Sequence, residues 1–257
     1  MDDGGGPASV PPIPAPPPPE TMPSVRDEGG YNQGWSGGGS TTLRSDRRCD
    51  LMITKMAVDP SRSVLEIGCG RGELARRLAG TTGMAVLGID RSPGFVAEAR
   101  QNATEPTVRF EAADFTQPGE LAGAPFDYVV GNGILHHLYH SLPRSLEAMR
   151  ALLAERGRLI FLEPNLHNPY VYLIFSRPRL RRMAKLEPDE MAFTRRFITS
   201  ALDAAGFVDI EVSYRDFLVP GTPDRLARAV VAAGDVAERT RGLKHLAQSL
   251  FIVADRP

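Results

Sequence analysis

The chain has 257 residues, 42% of them apolar and 24% charged, enough for one α/β core of the larger sort with tails or insertions to spare. A formal net charge of -1 leaves no electrostatic footprint for a nucleic-acid polyanion, and two cysteines, Cys49 and Cys69, make no disulfide framework. With no apolar leader and no window of about eighteen apolar residues, the expectation is a cytoplasmic chain without a transmembrane segment.

In chain order, residues 1–30 hold nine prolines between Pro7 and Pro23, flanked by glycines. Proline lacks an amide donor and favours extended backbone, so this stretch reads as a disordered tail ahead of a domain at 31–257. The segment YNQGWSGGGS at 31–40 joins hinge glycines to Tyr31 and Trp35, which either close over a ligand or pack on the first helix. That helix is predicted at 43–57, with Leu51, Met52 and Met56 inward.

The sequence VLEIGCGRGELARRL at 64–78 reads as a buried strand, a glycine turn and a helix. The alternation continues as strand 84–89, helix 93–103, strands 107–112 and 126–130, helix 143–154 and strand 157–163. Such alternation predicts a doubly wound, mostly parallel sheet, whose ligands lie along the carboxyl ends of the strands. Past Glu163 the rhythm breaks. Residues 164–192 carry an aromatic patch (Tyr170, Tyr172, Phe175) and then a basic run through Arg177, Arg179, Arg181, Arg182 and Lys185. Inserted after the fifth strand, this segment would cover the mouth of a site as a substrate lid; a subunit or peripheral membrane contact is the competing reading. A helix at 194–205 ending near Gly206, a strand at 206–217, a helix near 224–240 with Leu226, Ala229, Val230 and Ala233 at helical spacing, and a final strand from Ser249 complete seven strands.

The glycine turn has the spacing E-x-G-x-G-x-G, from Glu66 through Gly68 and Gly70 to Gly72. A dinucleotide fingerprint would need glycine where Glu73 stands, so a nicotinamide oxidoreductase is disfavoured while a nucleoside ligand remains in play. The turn resembles motif I of the class I S-adenosylmethionine-dependent methyltransferases. The remaining signals follow in that family's order from about Arg44 to Glu163. The resemblance is to the broad ubiquinone/menaquinone-type group, in the shared domain only. It implies S-adenosyl-L-methionine as cofactor, held by Glu66, Gly68, Cys69, Gly70 and Gly72 of the first loop. Asp90, with Arg91 beside it, would face the ribose hydroxyls. Asp114 and Phe115 would serve the adenine, and Gly131, Asn132 and Gly133 would lie along the fourth strand's end.

Methyl transfer needs an oriented nucleophile and, for a hydroxyl acceptor, a base near neutral pH. His136 and His137 follow strand four, where an L-H-H run is common in the family. Glu163, as a base or as a carboxylate that orients a histidine, and His167 complete the catalytic candidates. No carboxylate run abuts the histidine pair, so no metal is expected. The expected acceptor is a small organic or lipid-like molecule, not nucleic acid, with O-methylation ahead of N- or C-methylation. A non-catalytic cofactor-binding protein is the rival reading. The Asn168-Pro169-Tyr170 triplet resembles the turn of adenine methylases, but it follows the wrong strand and reads as coincidence.

Overall fold

The computed structural model describes residues 39–117, 121, 123–187, 190–219 and 222–257. The expected tail at 1–30, and Tyr31 and Trp35 as closing residues, lie outside the described residues.

Seven strands form one sheet in the order β3-β2-β1-β4-β5-β7-β6. β1 (Ser63–Ile67), β2 (Ala85–Asp90), β3 (Val108–Ala112), β4 (Phe126–Asn132) and β5 (Leu153–Pro164) run parallel. β7 (Ser249–Asp255) lies antiparallel between β5 and β6 (Val208–Arg215), the closure expected from the last two strands.

The central strands are apolar on both faces, as covered parallel strands must be. Side chains alternate between two clusters: Leu65, Val129, Leu159 and Phe161 enter one, while Val64, Val130, Ile160 and Leu162 enter the other. The first cluster is closed by α4 (Leu142–Leu152), through Leu142, Leu146 and Met149, and by α7 (Arg195–Ala204), through Ile198 and Leu202. The second is closed by α1 (Gly39–Ile53), α2 (Glu73–Thr82) and α3 (Pro93–Asn102), through Met52, Leu78 and Val96 among others. Fully burying one such aliphatic side chain is worth about 1.5–3 kcal/mol, so these helices are fixed by their apolar faces.

Two later segments show what packing decides. α8 (Asp224–Arg239) buries Ala227 and Gly234, while Leu226, Ala229 and Ala233 are exposed. A Cβ at Gly234 would come within 3.0 Å of Phe217, so close packing there selects glycine and turns the helix away from its larger apolar residues. The Asn168-Pro169 pair opens a helix in the segment after β5. Asn168 caps α5 (Pro169–Ser176) by accepting from the Val171 amide at 3.0 Å, with proline at the first helical position.

The segment after β5 folds as α5 and α6 (Pro178–Met183) around a small cluster of Leu166, Val171, Phe175 and Ala192. Phe175 points inward while Tyr170, Tyr172 and Leu173 stay exposed. Arg181, inside the basic run, is a staple. Its guanidinium donates to the carbonyls of Phe175, Glu187 and Glu190.

Candidate functional site

The loop after β1 is a backbone structure. Gly68 and Gly72 have φ of +71° and +81°, and a Cβ would meet Ile134 Cδ1 at 2.1 Å and Phe110 at 2.5 Å respectively. Side chains are thereby excluded, and the loop's amides are presented at the start of α2. Asp90 at the β2 tip accepts from the Gly70 amide at 2.9 Å and from the Ser92 amide at 2.9 Å, which ties the second strand to the loop. Cys69 is buried and its amide donates to the Ile89 carbonyl at 2.9 Å; burial, with Glu66 and Asp90 nearby, raises its thiol and disfavours the thiolate.

Glu66 is 3% exposed and its Oε2 has no hydrogen-bond partner. Burial, helped by the like charges of Asp90 and Glu73 and opposed by the Ala75 amide, pushes its carboxyl up to about 8. A buried carboxylate oxygen without a donor, beside a cradle that a Cβ would fill, fits the ammonium end of an amino-acid ligand.

Further along the edge, Asp114 accepts from the Thr116 amide at 3.0 Å and its hydroxyl at 2.7 Å, with Arg91 Nε 3.7 Å away. Phe115 packs into the core with Leu121 and Leu135. Gly131 is packed against Phe161: a Cβ there would sit 2.3 Å from that ring. Gly133 donates to the Leu162 carbonyl at 2.8 Å, and Asn132 Oδ1 accepts from Arg48 Nη1 at 2.7 Å.

Beyond β4, a 3-10 helix (Leu135–Ser141) carries the histidine pair. Glu163 at the β5 tip anchors it. Its Oε1 accepts the amides of Ile134 at 2.8 Å and Leu135 at 2.7 Å; its Oε2 takes the His136 amide at 3.2 Å and His136 Nδ1 at 2.9 Å. A carboxylate so filled orients a histidine and is no free base, the second of its two expected roles. A second carboxylate reaches the pair from outside any local run: Glu190, 53 residues beyond His137, whose Oε1 lies 3.2 Å from His137 Nδ1. Glu190 sits at the end of the 164–192 segment, which also brings Phe175 edge-on to His136 at 6.3 Å and the Met191 amide to the His136 carbonyl. Burial and the neighbouring His136 lower the His137 pKa against the pull of Glu190, so its ring is neutral at pH 7. His136, His137 and Glu190 each offer a ligand atom, all within 4.8 Å of one another, a set that could also hold a divalent ion. His167 is not among the residues that bond the histidine pair. It is exposed, within electrostatic reach of His245, and its amide donates to Asn165 Oδ1.

A second polar cluster went unnoticed in the sequence. Asp216, just past β6, accepts from Arg44 Nε at 2.7 Å, Arg48 Nη2 at 2.8 Å and Arg48 Nε at 3.1 Å. Arg44 Nη2 also reaches Gln248 Oε1 at 3.2 Å, and Arg48 Nη2 reaches Ser249 Oγ at 2.7 Å. The two guanidinium groups hold Asp216 down to about 2 against its burial, whereas burial and Arg48 pull Arg44 down to about 10.

Comparison with known proteins agrees with this edge. Residues 64–157 match the family model of a methyltransferase domain. An uncharacterized methyltransferase of Mycobacterium bovis is 31% identical over 122 residues, 46% of this chain and 60% of that protein. The trans-aconitate 2-methyltransferase of Methylobacterium nodulans is 31% identical over 146 residues, 56% of this chain and 52% of the relative. The chain thus spans under two thirds of the length of these relatives. Among solved structures, the N-methyltransferase NodS of Bradyrhizobium japonicum in complex with S-adenosylhomocysteine superposes with a TM-score of 0.57 at 17% identity, covering 90% of this chain and 94% of that one. By strand order, by the glycine loop at 66–72 and by these similarities, the chain carries a domain of the class I S-adenosylmethionine-dependent methyltransferases.

Proposed function

We propose that the chain binds S-adenosyl-L-methionine along the β1–β4 edge and methylates a small organic acceptor at oxygen, with His137 as the base. The observation that carries this reading is the pairing of a buried, partnerless Glu66 oxygen in the glycine loop with a carboxylate-oriented histidine pair at the end of β4. Bound, the cofactor supplies an electrophilic methyl group on a sulfonium. Glu66 receives its ammonium, the side-chain-free turn at 68–72 admits its amino-acid end, and Asp90 faces the ribose.

His137 suits the base because its ring is neutral and less buried than that of His136, at 14% against 6% side-chain exposure. With Nδ1–H donated to Glu190, Nε2 can accept the acceptor's proton, and Glu190 steadies the imidazolium that results. His136, held the same way by Glu163, positions the turn. Both rings turn Nδ1 toward a carboxylate, which fixes the tautomer and leaves Nε2 as the basic nitrogen. Residues 164–192 serve as the lid, excluding water from the pair. The trans-aconitate enzyme's name denotes a small organic acid acceptor, which supports the small-molecule class. No described helix is long and apolar enough to cross a membrane.

The test is replacement of His137 by Gln and, separately, of His136 by Gln. Turnover should fall most in the first, by about a hundredfold or more, while S-adenosylhomocysteine still binds. Unchanged turnover in both variants would remove histidine from the mechanism.

A further inference from the structure

We infer that the exposed side of α5, together with the basic residues at its end and along α6, docks the chain on an anionic lipid bilayer. The surface itself stands apart from the methyltransferase reading.

Apolar exposure gives the first argument. The eight residues of α5 include none that is charged. A helix that is apolar all round is ordinarily covered on every side. Here Val171 and Phe175 are buried, while Tyr170, Tyr172 and Leu173 on the other side are 46%, 44% and 47% exposed. Met183, at the end of α6, is 78% exposed.

Charge gives the second, and it names the occupant. From 164 to 186 the chain has five basic residues and no acidic one, although the whole chain is net -1. Arg181 turns inward to backbone carbonyls. Arg177, Arg179, Arg182 and Lys185 are exposed and form no ion pair among the described residues. Elsewhere exposed arginines find carboxylates: Arg47 pairs with Asp235, Arg71 with Glu98 and Arg76 with Glu105. Cations beside tyrosine and aliphatic side chains are the composition of a helix that lies in the headgroup layer with its apolar side down. Acidic headgroups complement these four charges. RNA would answer the cations too, but Leu173 and Met183 offer a base neither a ring to stack on nor a hydrogen bond. No described helix is long and apolar enough to cross a bilayer, so α5 lies along its surface.

Place gives the third. The inner side of the same segment reaches the histidine pair: Phe175 stands edge-on to His136, and the Met191 amide donates to the His136 carbonyl. Docking therefore sets the bilayer across one helix from that pair. On the methyltransferase reading, an acceptor with an apolar tail would reach the pair from the lipid.

Co-sedimentation of the full chain with vesicles of phosphatidylcholine alone, or of phosphatidylcholine mixed with phosphatidylserine, tests this. The mixed vesicles should carry the protein down, the neutral ones should not, and rising salt should release it. Arg179→Glu combined with Arg182→Glu should weaken binding by about twenty-five-fold or more, from about fivefold for each cation lost. Leu173→Gln combined with Met183→Gln should weaken it by about tenfold or more. Both variants alter exposed side chains only, so their melting temperatures should match that of the unaltered protein. No binding to the mixed vesicles, equal binding to the neutral ones, or full binding by either variant overturns the surface. Binding of single-stranded RNA that the double arginine variant abolishes, without binding of vesicles, assigns the cations to nucleic acid and overturns it as well. S-adenosylhomocysteine plays no part in sedimentation, so failure of the cofactor reading leaves this result standing.

Discussion

Replacing Glu66 by Gln should make the ligand-free protein more stable and a poorer binder of its cofactor. The carboxyl of Glu66 is buried and pushed from 4.5 up to about 8, so at pH 7 the folded chain keeps a proton that the unfolded chain has lost. A raised acid contributes its stability below its unfolded value and loses it as pH climbs through the folded one, here from 4.5 to about 8. At pH 7 the penalty is on the order of 3 kcal/mol, from about 1.4 kcal/mol for each pH step above the unfolded value. Glutamine keeps the shape, still accepts from the Ala75 amide and carries no titrating proton, so it escapes that penalty. Urea unfolding of both forms at pH 5 and pH 8 measures it. Their midpoints should nearly coincide at pH 5, and the Gln variant should lead at pH 8. Its affinity for S-adenosylhomocysteine should fall by about tenfold or more, since the ammonium loses an ionised partner. A variant that gains no stability at pH 8, or that binds with full affinity, would refute the reasoning.

The other predictions concern the same edge. Asp216→Asn leaves two buried guanidinium groups without their carboxylate and should cost about 3–5 kcal/mol in chemical unfolding. In the unaltered protein the Asp216 contribution is present above pH 3.8 and is lost as pH falls toward about 2, which acid titration followed by circular dichroism will register. Gly131→Ala drives a methyl into Phe161 and should destabilise by about 1–3 kcal/mol, with recovery when Phe161 is also trimmed to Leu. Because the His137 pKa lies below its ordinary 6.5, the acid limb of kcat/KM should fall below that pH, and a limb centred above 7 would point to another base. Dialysis against a strong chelator should leave turnover intact; a loss restored by a divalent ion would move His136, His137 and Glu190 from base to metal ligands.

The sheet was legible because its strands are short apolar runs punctuated by glycine and carboxylates, a signal carried within each window of sequence. Even the strand-end positions of Asp90, Asp114 and Glu163 follow from that pattern. What escaped depends on contacts made across the chain. Arg48 meets Asp216 168 residues away and Arg44 meets Gln248 204 residues away, and in sequence both arginines look like the solvated side of the first helix. Glu190 lies in an irregular segment, where no periodicity says which side chain turns inward. That Phe161 fills the space a Cβ at Gly131 would need is likewise a contact between strands. Backbone cradles are written locally, whereas side-chain partnerships are settled by tertiary packing.

The central claim is tested most directly by calorimetry of the purified chain with S-adenosylhomocysteine near pH 7, repeated in buffers of different ionisation enthalpy. One saturable site is predicted, with proton release of up to about one equivalent as Glu66 ionises against the ammonium, and no heat with NAD under the same conditions. Absence of binding, or binding of NAD in its place, would contradict the account.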